Sequence, residues 1–328
     1  MDSAQILNIF IKAGVLPVAN NKHGQARMDL SNKMFLFLNL FRIFPLSGYL
    51  YFSMINLMDD LNLKTVVSFL FRSVGFVSGP VLTLMLSYTA QSLGVYTLTG
   101  TSKMSRINYL IPIVYPIIYS SGIAVMEIPD GMHLNTLLET ICFSVSLIIV
   151  LLYLILDYGI LFVSCFLWVN DLRVKIAALL FKKNITIEEC EEILLHYNTL
   201  RSAIELTVLA LFSVTQFYSI TAAYLGFSGD LFNLASFIPA LIVTLVLLTG
   251  INVIEELYNM TDQLMEKTKE EGLEKASFRE MLRYKNTASK LRRVGPFTGM
   301  GFFTLDRNTL SIMLSITVTY IVVLLQSS

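Results

Sequence analysis

The sequence predicts an all-α membrane protein: seven transmembrane helices, N-terminus cytoplasmic, C-terminus extracellular, with cytosolic helical extensions forming an anchor bundle. Three observations predict it. The first is composition: 55% of the 328 residues are hydrophobic and 15% charged, against about 45–50% and about 25% in soluble domains. Mean hydropathy is +0.65. Such a chain has too little polar surface to cover itself in water, which excludes an ordinary cytosolic enzyme, a disordered protein and a nucleic-acid binder. The second is seven apolar runs, at 34–57, 65–88, 107–126, 137–168, 203–227, 231–254 and 308–326, each close to or above the ~20 residues that cross a bilayer. The third is charge asymmetry. Net charge is zero, yet 21 of the 24 Lys and Arg fall on one side of this plan and only Lys64 falls on the other. The basic side is cytoplasmic by the positive-inside rule.

Residues 1–33 form a cytoplasmic N-terminal segment. Within it Gln5–Ala19 is moderately apolar, but Lys12 interrupts it and Pro17 breaks it. A short helix is expected there rather than a cleavable signal. The first span carries Arg42, about 12 Å from its inner end by helical rise, where snorkelling is expected. The second carries Arg72 and the pair Gly75 and Gly79, whose four-residue spacing puts both on one face for close helix packing within the subunit. Arg72 is costly in lipid unless paired; Glu127, Asp130 and Glu139 are candidate partners and a ligand is the other option. Asp157 and Glu205 fall near the inner interface. The fourth span has 32 residues, about 48 Å, so its inner end protrudes.

The inner loops look helical. Ile187, Cys190, Ile193, Leu194, Tyr197, Leu200 and Ile204 recur at helical spacing and run into the fifth span; Ile254, Leu257, Thr261 and Leu264 extend the sixth. Met281, Tyr284, Ala288 and Leu291 mark an amphipathic helix before the last span. These stripes build either a cytosolic bundle or faces lying on headgroups. The chain divides into residues 34–256, with six spans, the ligand-pocket region and cytosolic extensions; 257–307, a charged cytosolic anchor; and 308–328, the last helix.

That last helix is unusual. It carries Thr309, Ser311, Ser315, Thr317, Thr319, Tyr320 and Gln326. Val323 and Gln326 lie four and seven residues beyond Thr319, on one face, with Val322 beside them. A ring of such faces would make a water-lined path closed by a valine collar. The alternative is that Gln326 caps the outer end and the hydroxyls bond back to their own helix.

Gly301-Phe302-Phe303-x-Leu305-Asp306-Arg307-x-x-Leu310, followed by Thr319-Tyr320, five apolar residues and Gln326, resembles the C-terminal signature of the insect gustatory receptors. That pattern continues with Phe, where Ser327 stands here. The signature covers roughly 296–326, and the seven-span plan extends the likeness over the chain. The resemblance implies a chemosensory ligand-gated non-selective cation channel in the plasma membrane of sensory neurons. It also implies homo- or hetero-tetramers of related subunits whose last helices surround a pore, with Thr319, Tyr320, Val322, Val323 and Gln326 as pore and gate residues.

A small tastant entering from outside would meet the outer halves of spans 2 to 6. Candidate lining residues are Phe69, Arg72, Tyr115, Tyr119, Ser120, Phe143, Ser146, Gln216, Tyr218, Ser219 and Asn233, aromatic walls with a few polar groups. The outer loops, about 7, 10 and 3 residues long, leave no ectodomain for a ligand.

Other classes fit less well. A G-protein-coupled receptor has the opposite topology, and its Asp-Arg-Tyr and Asn-Pro-x-x-Tyr motifs are absent. A metabotropic receptor acting through a cytosolic partner is the alternative reading. A transporter would show repeats or paired broken helices. Cys142 and Cys165 lie inside span 4 and Cys190 in the cytosol, so no disulfide framework is expected. His23, His133 and His196 are too scattered for a metal site. No phosphate loop or nucleophile elbow is present, so neither cofactor nor enzyme activity is expected.

Overall fold

The computed structural model describes residues 3–12, 18–20, 26–29, 31–59, 61–93, 114, 117, 136–227, 237–274 and 277–327. Its elements are α1 (Ser3–Lys12), β1 (Val18–Asn20), β2 (Ala26–Met28), α2 (Lys33–Asp59), α3 (Leu63–Leu93), α4 (Leu137–Phe181), α5 (Ile187–Phe227), α6 (Phe237–Leu273), α7 (Phe278–Arg292) and α8 (Arg307–Ser327). The expected third span, apart from Val114 and Ile117, lies outside the described residues. Four described helices are long and apolar enough to cross a membrane: α2, α4, α5 and α8.

The short N-terminal helix is present over Ser3–Lys12. Val18 and Ala19 belong instead to a short antiparallel strand pair, in whose register Val18 is opposite Met28 and Asn20 opposite Ala26.

The long helices continue well beyond the apolar runs, as the periodic stripes predict. α4 runs 45 residues without a break. It opens on a capping box, Glu139 N donating to Thr136 Oγ1 and Thr136 N donating to the Glu139 carboxylate. Its far end is capped by Lys267 of α6, whose ammonium donates to the carbonyls of Leu179, Leu180 and Lys182. A cation there suits the negative end of the helix dipole. A second capping box, Thr186 with Glu189, starts α5, and Lys182 reaches Glu189 at 2.6 Å.

Beyond the apolar spans, the ends of α4, α5 and α6 gather with α7 into a bundle. Cys190, Tyr197, Leu200, Leu257 and Leu264 are wholly buried in it, and Tyr284, Ala288 and Leu291 pack α7 onto α6. Each such aliphatic or aromatic side chain contributes about 1.5–3 kcal/mol of burial. Tyr284 also donates to the Ile185 carbonyl at 2.8 Å. A Cβ on Gly272 would stand 2.7 Å from the Tyr284 Cβ, so glycine permits this crossing of α6 and α7. The stripes therefore face a protein core rather than headgroups.

Candidate pore helix and the polar contacts around it

The segment before α8 is a tight turn built by its signature residues. Gly299 N donates to Phe303 O at 3.0 Å, Leu305 N donates to Phe297 O at 2.8 Å, and Thr298 and Thr304 form an antiparallel bridge. Met300 and Gly301 sit at the tip with φ of 50° and 80°, the left-handed region that glycine enters at least cost. A Cβ on Gly299 would collide with the Phe303 ring. That ring packs on Phe212 of α5, centroids 4.2 Å apart. Asp306 then caps α8, accepting from Thr309 N at 2.9 Å and Thr304 Oγ1 at 2.8 Å. These bonds, that from Thr304 first, hold its carboxyl below the usual carboxylate range.

α8 touches α5 and, more lightly, α6. Thr309 and Met313 are its buried positions, and Leu310 and Leu324 pack against the hydrophobic core. Gln216 of α5 ties this face down, donating through Nε2 to Thr317 Oγ1 at 2.9 Å and to Met313 O at 3.2 Å. The other face is exposed and carries Ser311, Ser315, Thr319, Val322, Val323 and Gln326, with Tyr320 at its edge. Ser315 and Thr319 donate to Ser311 O and Ser315 O, four residues back. The hydroxyls thus do bond to their own helix, and Thr319, Val322, Val323 and Gln326 still share the side turned from the protomer.

The Gln216 contacts carry a measurable prediction. Thr317→Val and Gln216→Leu should show a coupling energy of about 1 kcal/mol in a double-mutant cycle of unfolding free energies. Strict additivity would mean that the two side chains do not hold α5 to α8.

The ligand candidates divide. Phe143 is buried against Tyr49 (5.8 Å) and Phe52 (5.9 Å) of α2. Ser146 lines the same α2–α4 contact, its Oγ where a Cβ on Gly48 would meet it at 3.2 Å. Phe69 and Ser219 are half-buried, and Gln216 faces α8. Tyr115, Tyr119, Ser120 and Asn233 lie outside the described residues, as do the side chains of Arg72 and Tyr218. Of the acids considered for Arg72, Glu139 closes the capping box of α4, while Glu127 and Asp130 lie outside the described residues.

Sequence reasoning missed one cluster. Arg42 does not snorkel: it is 8% exposed and forms an ion pair with Asp157 of α4, which is 5% exposed. Its guanidinium lies 4.8 Å from the centroid of the Tyr153 ring, and Tyr153 donates to Leu38 O at 2.8 Å. Thr83 of α3 donates to Asp157 Oδ1 at 3.0 Å. A Cβ on Gly79 would strike the Asp157 carboxylate and stand 2.8 Å from Arg42 Nη2, so the close approach expected at Gly79 admits this pair. The signal was an arginine and an aspartate in separate apolar runs, each too costly to stand alone in lipid.

Helices this long and apolar, continuing into a charged bundle and followed by one lightly held terminal helix, define a helical membrane protein. The fold is that of the insect olfactory receptors. The chain matches the olfactory receptor OR5 from Machilis hrabei with a TM-score of 0.70 and 14% identity, over 100% of both chains. It matches the same receptor in complex with eugenol with a TM-score of 0.70 and 13% identity, over 99% of this chain and 98% of that one. No family model and no curated protein sequence matches.

Proposed function

We propose that the chain is a gustatory-type member of the insect chemoreceptors, a subunit of a ligand-gated non-selective cation channel in the plasma membrane of chemosensory neurons. Seven spans place the N-terminus inside and the C-terminus outside, and residues 257–307 anchor subunits in the cytosol. Four copies set the exposed faces of α8 around a shared path. Thr319 and Gln326 line it, and Val322 and Val323 close it as an apolar collar. A small tastant enters between helices from the outer side. Its displacement reaches α8 through α5, which holds α8 by the Phe212–Phe303 stack and the Gln216 bonds.

The observation that carries this reading is the two-faced last helix: one face pinned to α5, the other exposed, apolar at its valines and polar on either side of them. The full-length likeness to OR5 supports the same architecture. The decisive experiment needs no tastant. Val323→Ser wets the collar, and basal current in cells expressing the full chain should rise about tenfold, the effect of about 1.4 kcal/mol at the gate. Surface-expressed Val323→Ser with no basal current would overturn the assignment.

A further inference from the structure

The beginning of α8 is a meeting point of charges from three helices. Arg307 lies 3.2 Å, Nε to Oε2, from Glu255 of α6. The adjacent Glu256 points to Arg173 of α4 at 2.9 Å, leaving Glu255 as the α6 acid at α8. On α5, Glu205 accepts from Thr298 Oγ1 at 2.9 Å and lies 3.5 Å from Arg201 Nε. Asp306 accepts from Thr304 and Thr309.

Arg307 is 73% exposed at its side chain. An ion pair so open to solvent adds only about 0–1 kcal/mol to stability, so the fold gains little from it. Its electrostatic consequence is larger. A helix N-terminus carries about half a positive charge. Arg307 adds a full one on the same end, and together they would repel cations from any path along α8. Asp306 offsets the dipole, and Glu255 offsets the arginine.

We propose that Glu255 is a charge-setting residue of the ion pathway: it neutralises Arg307 at the inner mouth and keeps that mouth open to cations leaving the cytosol. This rests on the reading that α8 lines the pathway with its Arg307 end inside. Glu255 acts through Arg307 and through the field at the mouth, so its signature is rectification rather than stability.

The test uses the full chain carrying Val323→Ser, recorded in inside-out patches with symmetrical potassium and no tastant. Adding Glu255→Gln should lower the ratio of outward to inward current about two- to threefold, as expected when the local potential shifts by about one kT. Arg307→Gln alone should move the ratio the other way, and Glu255→Gln with Arg307→Gln should restore it. The same patches separate this inference from the pathway reading. With Ser315→Cys, a positively charged methanethiosulfonate applied from the cytosolic side should reduce the current. No effect there overturns the pathway reading and this inference with it. A reduction at Ser315→Cys together with an unchanged ratio in Glu255→Gln and in Arg307→Gln overturns this inference alone.

Discussion

Arg42→Met alone and Asp157→Leu alone should each destabilise the protein by about 3–5 kcal/mol, while Arg42→Met with Asp157→Leu should recover most of that loss. Both residues are more than nine-tenths buried. Removing either partner leaves the other as a lone ion between apolar helices, where water cannot compensate it. Removing both leaves two side chains of suitable volume and no stranded charge. The remaining cost falls on Thr83, which loses Asp157 as one acceptor but keeps Gly79 O at 3.1 Å. Tyr153 keeps its bond to Leu38, so α2 stays tied to α4 at a second point. Folded yield in detergent, read as the monodisperse fraction on size exclusion, checks this. Singles that match the wild type would show that the pair is solvated; a double as poor as the singles would show that the helices need the charges themselves.

Legibility in the sequence followed the range of the interaction. The stripe from Ile187 to Ile204 was readable because one period of 3.6 residues runs through seven apolar positions, and α5 buries six of them. Met281, Tyr284, Ala288 and Leu291 were readable for the same reason. Thr319, Val322, Val323 and Gln326 could be placed on one helix face from spacing alone, and they share the exposed side of α8. What that face does is a separate matter, because periodicity says which residues lie together and not what they face. The pairing of Val18–Asn20 with Ala26–Met28 is illegible because three-residue strands carry no period. Arg42 with Asp157, 115 positions apart, could not be told from a snorkelling arginine. A local pattern prices each charge separately, and only packing shows that they share one site with Gly79 beside them. Depth and polarity put Gln216 in a pocket, whereas the rotation of α5 turns it toward Thr317. The signature glycines were visible as a motif. Their physical reason, the Phe303 ring lying over Gly299, is tertiary.

The bundle beyond the spans should lose stability between pH 6.5 and 5, and His196 should be the cause. His196 is 2% exposed on α5. Burial first, and the nearby Lys175 of α4 second, push its pKa down from 6.5 to about 3. The sign follows from where the proton binds. Above pH 6.5 the imidazole is neutral in both states and costs nothing. As pH falls from 6.5 toward 3, the unfolded chain takes up a proton that the folded chain refuses, so stability drops by about 1.4 kcal/mol per pH unit. The two carboxylates held below their ordinary values act in the same direction but lower down. Glu189, held below its ordinary value by Lys182 first and the Thr186 backbone second, and Asp306 lose their contributions only as pH falls below about 4.5. Among these three groups the window between 6.5 and 5 therefore belongs to the histidine. Melting temperature of the full chain in detergent should fall across that window in the wild type and stay flat in His196→Phe, which keeps an aromatic ring of similar volume in the same place. A wild-type curve already flat from pH 7.5 to 5 would mean that the imidazole is protonated or solvated in the folded bundle. An equal slope in His196→Phe would assign the loss to another group.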